Sequence, residues 1–212
     1  MNITIFGATG ALGSECLRQS IAAGHKVTVL VRNANKLPAQ LVKEINIVEG
    51  DALKPEDVKR ALPIGTDAIL FAVGVDKHSP PDLCTHVTRH ILGLMPALNI
   101  DRLVWCGGGS TLLEQDQPGF GEKFVRWFSE KFMALRHFDK EHQYQFLQQH
   151  PEINWIGIRP LQMKTGKITG HYRLGYNRFS GLSKISFADC AHAMLVMLES
   201  DEWLGKAPVI QY

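Results

Sequence analysis

The chain has 212 residues, 45% of them hydrophobic and 21% charged, with a formal net charge of +2. That size and balance predict one domain spanning residues 1–212, and give no case for nucleic acid or a membrane surface as a partner. Four scattered cysteines, Cys16, Cys84, Cys106 and Cys190, make no metal-ligand spacing and read as reduced thiols; with no signal core and no apolar run near ~20 residues, a cytoplasmic, metal-free protein is expected.

In chain order, Ile3 to Phe6 reads as a first strand and Ala11 to Ala23 as a helix, stopped by Gly24 just past its end. Lys26 to Val31 is a second strand and Glu44 to Glu49 a third. Pro55 opens a helix to Leu62, with Glu56 and Asp57 suiting the positive end of its dipole. Asp67 to Val73 is a fourth strand. Asp82 to Leu98 follows as a helix that Pro96 is expected to kink or shorten. Leu103 to Cys106 is a fifth strand, ending in Gly107-Gly108-Gly109. Glu122 to Gln149 is helix-rich, and Phe124, Trp127, Phe128, Phe132 and Leu135 recur at spacings of three and four, which predicts a core-facing stripe. Ile153 to Ile158 is a sixth strand. Leu161 to Lys184 is irregular, with a short strand at His171 to Leu174. Ser186 caps a last helix, Phe187 to Glu199, before a closing strand near Val209-Ile210. Strands alternating with helices imply an α/β fold, a doubly wound parallel sheet of Rossmann type. The irregular C-terminal segment follows a strand end, where open α/β sheets bind ligands, so it is expected to cover the substrate side of the cleft.

The turn between the first strand and helix, Phe6-Gly7-Ala8-Thr9-Gly10-Ala11-Leu12-Gly13, carries a phosphate-binding pattern. Gly7 suits the tight turn, Gly10 leaves room for a pyrophosphate, Gly13 permits close helix-to-strand packing, and the free N–H groups of the helix start face the phosphate. The strand–turn–helix context predicts a nicotinamide dinucleotide. Strand two ends in Arg32, 19 residues beyond Gly13, with Lys36 four further on. Two cations there suit a ribose 2′-phosphate, favouring NADP(H) over NAD(H); the alternative is two ordinary surface cations. Asp51 is placed to accept from an adenine amino group, or is a turn residue. Phe71, Ala72, Val73 and Gly74 end strand four with small residues past which a cofactor can run.

GATGALG, VLVRNANKL, GDA, GGGSTLL, IRP and ISFADCAHAML together resemble the atypical short-chain dehydrogenase/reductases of the NAD(P)H-binding, NmrA-like type, nearly end to end. Within them the chain is similar to the biliverdin-IXβ reductase/flavin reductase branch. The resemblance implies that Thr9, Gly10, Leu12 and Gly13 contact the pyrophosphate, Arg32 and Lys36 the 2′-phosphate, and Asp51 and Ala52 the adenine. It places Phe71 to Gly74, Cys106, Gly107, Pro160 and Leu161 along the ribose and nicotinamide. The departures bear on chemistry. Tyr144 has Gln148, not lysine, four residues on, so the Tyr-x-x-x-Lys pair of ordinary short-chain dehydrogenases is missing. Gly107 and Gly108 stand where that branch has Thr-Ser, and Leu161 where it has a histidine.

Ser110 is the hydroxyl nearest the glycine run: a candidate proton donor, or a turn residue. Lys140 is weighed as a cleft residue and preferred as a solvated one. His86 and His90 lack an acid or cysteine to complete a metal site, and His137 and His142, five apart, share no helix face. These readings converge on an NADPH-dependent reductase acting on a small molecule, with oligomeric state left open. Without an activated tyrosine, the favoured acceptor is planar and conjugated (a flavin, a quinone or a bilin-like molecule), able to take hydride before solvent supplies the proton. The rival is a non-catalytic redox sensor of NmrA-like type; an epimerase or dehydratase is disfavoured by the missing Tyr/Lys pair.

Overall fold

The valine- and isoleucine-rich runs form one central sheet in the computed structural model, which describes residues 1–177 and 184–212. Its strands are β1 (Asn2–Phe6), β2 (Lys26–Val31), β3 (Ile45–Glu49), β4 (Ala68–Phe71), β5 (Arg102–Cys106), β6 (Trp155–Pro160), β8 (Arg173–Gly175) and β10 (Val209–Gln211), ordered β3-β2-β1-β4-β5-β6-β10-β8. Every pairing in it is parallel except β10 with β8. A second, two-stranded sheet joins β7 (Gln162–Lys164) to β9 (Lys184–Ser186).

The helices are α1 (Ala11–Ala22), α2 (Pro55–Ala61), α3 (Leu83–Leu98), α4 (Phe120–Phe132), α5 (Ala134–Gln148) and α6 (Phe187–Val196). Strand alternation divides the core between the two faces of the sheet. Ile3, Ile5, Val27, Val29 and Val104 pack with Leu12, Cys16 and Leu17 of α1 and Cys190 and Met194 of α6. Phe6, Leu30, Ile69, Phe71 and Trp105 pack with Val58 of α2, Ile91 of α3 and Leu147 of α5. The sheet is thus doubly wound. Its first half runs β3-β2-β1 and its second starts at β4, so the order reverses between β1 and β4, where such sheets open a crevice.

Three local expectations change. α3 continues through Pro96 to Leu98 and ends where Asn99 takes a left-handed conformation (φ 53°). The helix-rich stretch resolves into two helices, separated at Met133 (φ −133°, ψ 30°). The aromatic stripe on α4 is not core: Phe124, Trp127, Phe128 and Phe132 are 61%, 53%, 43% and 64% exposed, while the buried residues of α4 are Glu122 and Ser129. Periodicity marks a face of the helix; here α4 packs on α5 through its polar side, and nothing among the described residues covers the other.

The C-terminal segment is tied down by Asp189, at the start of α6. Its carboxylate accepts from the N–H groups of Thr169 (2.7 Å) and Gly170 (2.9 Å) and from the Tyr212 hydroxyl (2.7 Å). Burial works against the charge, but these donors outweigh it and hold the acid down at about 2. Ser186 caps α6 as expected, its Oγ accepting from Asp189 N at 2.9 Å. The middle of the irregular stretch, residues 178–183, lies outside the described residues.

Candidate active site

Six parallel strands end at the same edge of the sheet, and most of the candidate residues follow those ends: Gly7 after β1, Arg32 after β2, Asp51 after β3, Ala72 after β4, Gly107 after β5 and Leu161 after β6. At this edge lies a cavity of about 730 Å³, within the usual size for a small-molecule or cofactor site. Gly10, Leu12, Ala72, Val73, Gly74, Cys106, Gly107, Ser110, Pro160 and Leu161 all line it. Gly7, Thr9, Gly13 and Phe71 do not line it; Phe71 lies in the core. Arg32, Lys36, Asp51 and Ala52 lie beyond it, past β2 and β3.

Two glycines are dictated by the backbone. Gly7 has φ +89°, and a Cβ there would stand 2.6 Å from the Ala72 carbonyl oxygen at the end of β4. A Cβ on Gly13 would strike the carbonyl of Gly7. They let β1 turn sharply and α1 start close against it. Gly10 differs: a Cβ would meet only Gly7 O, at 3.4 Å, and would otherwise enter the cavity. No side chain caps α1, and its first turn holds no acid. Its free N–H groups therefore point at a cradle that an anion fits, and the residues present suit the pyrophosphate of a dinucleotide.

Arg32 and Lys36 are exposed, and neither has a carboxylate within ion-pair distance among the described residues. The turn carrying them is fixed by Glu49, which accepts from Ala34 N at 2.8 Å, and by the Asn33 side chain, which accepts from Asn35 N at 2.9 Å. Asp51 uses one carboxylate oxygen to accept from Leu53 N at 3.0 Å. Its backbone N–H donates to Asp57, leaving its other oxygen clear of the turn.

The loop after β5 is clamped to β6. Arg159 and Asp116, both fully buried, form a two-pronged ion pair at 2.6 and 2.8 Å, and Arg159 also donates to the carbonyls of Thr111 and Ala207. Gly109 N donates to Pro160 O at 3.0 Å. This frame sets Ser110 on the cavity wall, half-buried, with its Oγ 3.0 Å from Nδ1 of His137. His137, on α5, is buried and lines the same cavity. Burial pushes it below the ordinary histidine value, partly offset by Glu141.

Lys140 corrects the preferred sequence reading of a solvated lysine. Its side chain is buried at the cavity wall; Nζ donates to Val73 O (3.1 Å) and Gln143 Oε1 (3.2 Å) and sits 5.3 Å from the centre of the Phe71 ring. Sequence reasoning dismissed this residue and assigned no catalytic part to His137. Their partners are 67 and 27 residues away, so only the weak hint of α5 preceding β6 could have pointed there. Tyr144 is buried against Trp105 and Trp155, and burial raises its hydroxyl; it does not line the cavity.

All four cysteines are free and buried, and no cluster of three or more metal-ligating side chains occurs among the described residues. No helix among them is long and apolar enough to cross a membrane.

A model of the NAD(P)H-binding family matches residues 7–201. The uncharacterized protein YwnB of Bacillus subtilis is 32% identical over 220 residues, 95% of this chain and 94% of its own. Among solved structures, ChuY, an anaerobillin reductase from Escherichia coli O157:H7, superposes with a TM-score of 0.80 at 16% identity, covering 100% of this chain and 97% of that one. A short-chain dehydrogenase/reductase from Veillonella parvula, in complex with NADP, has a TM-score of 0.77 at 13% identity, covering 100% and 94%. At these identities the two structures speak to the fold.

Proposed function

Because the chain belongs to the NAD(P)H-binding family, in the atypical short-chain dehydrogenase/reductase manner its motifs resemble, we propose that it is an NADPH-dependent reductase whose acceptor is a planar, conjugated small molecule such as a flavin, a quinone or a bilin-like compound. The observation that carries this reading is one cavity in which the glycine turn, the uncapped start of α1 and a small, apolar wall meet. ChuY, an anaerobillin reductase by name, supports the choice of acceptor class.

When bound, a reduced nicotinamide supplies hydride. The protein's own residues do the rest. Gly10 and the N–H groups of α1 hold the pyrophosphate, and Arg32 with Lys36 grips the 2′-phosphate that separates NADPH from NADH. Asp51 and Ala52 receive the adenine end. Phe71, Ala72, Val73 and Gly74 form the passage toward Cys106, Gly107, Pro160 and Leu161, beside which the nicotinamide would lie. Gly107-Gly108-Gly109, Leu161 and Met163 give the small or apolar surface on which a flat ring stacks. From α4, Phe124 and Phe128 line the same space, so the exposed aromatic stripe starts at the acceptor's side of the cavity. Orientation is a large part of what such a site contributes.

Steady-state NADPH oxidation with riboflavin, FMN, a quinone and a simple aldehyde tests the reading. Turnover is expected with one or more of the flat acceptors and not with the aldehyde. Turnover confined to the aldehyde makes the protein a conventional carbonyl reductase. Tight NADPH binding with no turnover across the panel leaves the redox-sensor reading in its place.

A further inference from the structure

Ser110 and His137 are joined by more than their 3.0 Å contact. The other ring nitrogen of His137, Nε2, is buried without a hydrogen-bond partner among the described residues, yet Glu141 Oε2 lies 3.5 Å away and Glu130 Oε1 3.7 Å. Arg126 of α4 holds both carboxylates, 2.7 Å from Glu130 and 3.0 Å from Glu141. The imidazole is therefore faced by Ser110 from the loop after β5, by Glu130 and Arg126 from α4, and by Glu141 from its own helix. One side of the ring meets the cavity through Ser110. The other meets carboxylates that reach solvent, Glu130 being 36% exposed. An imidazole between a cavity hydroxyl and anionic groups can hold a proton as a cation and release it inward.

We propose that Ser110 and His137 form a proton-donor pair, with Ser110 the catalytic residue touching the acceptor and His137 the positioning group that resupplies it. The pair serves any acceptor whose hydride uptake leaves an electron pair on an oxygen or nitrogen; among the flat acceptors that the apolar wall favours, these are a quinone or other conjugated carbonyl, or a ring nitrogen. The acceptor would take hydride from a bound reduced nicotinamide, whose C–H bond breaks and which is left oxidised, and the acceptor's π pair moves to the heteroatom. The Oγ–H bond of Ser110 breaks as the heteroatom–H bond forms, and Nδ1–H of cationic His137 returns a proton to Oγ. His137 is left neutral and regains its proton from solvent before the next turnover. The inference rests on the reductase reading for its chemistry, though the pair itself can be examined without cofactor.

The sign of the pH dependence follows. The donor is the cation, and burial lowers the histidine's value, so kcat falls as pH rises through a point below the ordinary ~6.5. Ser110→Ala, Ser110→Thr and His137→Gln are compared with wild type by NADPH fluorescence titration, by kcat against pH with an acceptor that the wild type reduces, and by NMR titration of the His137 ring without cofactor. Ser110→Ala should lower kcat by about 100-fold with NADPH affinity little changed, and Ser110→Thr should retain most activity. The alkaline fall in kcat should vanish in His137→Gln, and the His137 titration should move in Ser110→Ala. A Ser110→Ala enzyme within ~2-fold of wild-type kcat, with the same pH profile, overturns the relay. If His137→Gln does not fold, the half-buried serine variants decide the matter. If the wild type reduces no acceptor, the reductase reading fails on its own; an unmoved His137 titration in Ser110→Ala then overturns the pair as well.

Discussion

Arg32 and Lys36 stand exposed on the turn after β2, with no ion pair among the described residues to occupy them. Exposed cations cost the fold nothing and are available to a phosphate, with Arg32 able to grip two oxygens at once. NADPH is therefore expected to bind clearly more tightly than NADH in a fluorescence titration. The gap should narrow as salt rises, because charges at the surface are screened over ~8–10 Å. Arg32→Asp should erase or reverse the preference by setting a carboxylate against the 2′-phosphate. Equal affinity of the wild type for both dinucleotides would leave these residues as plain surface cations. The position of such a pair is legible in the sequence because it is local, set by the end of one strand. Lys140 and His137 were not legible in that way. Each acquires its role from a partner on another element, Val73 or Ser110, and no spacing rule brings those together.

At the scale of elements, the loop after β5 owes its shape to a buried ion pair. Arg159 projects from β6 and Asp116 from the loop, each fully buried, and Asp116 also accepts from Leu113 N at 2.7 Å. Removing one partner leaves a guanidinium in the interior with its charge unmatched. Asp116→Ala should thus cost about 3–5 kcal/mol in chemical denaturation. It should also loosen the Ser110 loop, so that activity falls further than cofactor affinity. A variant as stable as wild type would mean that the pair contributes little beyond filling space. The first five strands and α1 lie within a residue or two of where β-branched runs and glycine stops put them, since those are properties of the segment itself, whereas β6 sits two residues later than expected and the short β7 and β9 fall where only irregular chain was read. α4 shows the limit: its period announced a helix correctly, but the stripe of Phe124, Trp127, Phe128 and Phe132 faces outward. Which side of an amphipathic helix meets the protein depends on its neighbours. Here the polar side is satisfied by α5, through Arg126 and Glu141.

For the molecule as a whole, the cavity joins the two halves of the sheet: Gly10 and Leu12 come from the first, Val73, Gly107 and Leu161 from the second. A dinucleotide lying across it binds only the folded chain and must stabilise all of it. At a concentration 100 times its dissociation constant, NADPH should add about 2.7 kcal/mol. For a chain of this length that corresponds to a rise in Tm of roughly 5–11 °C. Gly10→Val supplies the control. Gly10 has an extended backbone (φ −81°, ψ 166°), which a branched residue adopts readily, and an added Cβ meets only Gly7 O, at an ordinary 3.4 Å. The variant alone should melt within a degree or two of wild type, since nothing in the core is disturbed. Its valine would instead fill the space proposed for the pyrophosphate, and the NADPH-induced rise should disappear. A Gly10→Val protein that still gains the full shift would show that the dinucleotide does not lie along the start of α1, and the placement of every other cofactor contact would fall with it.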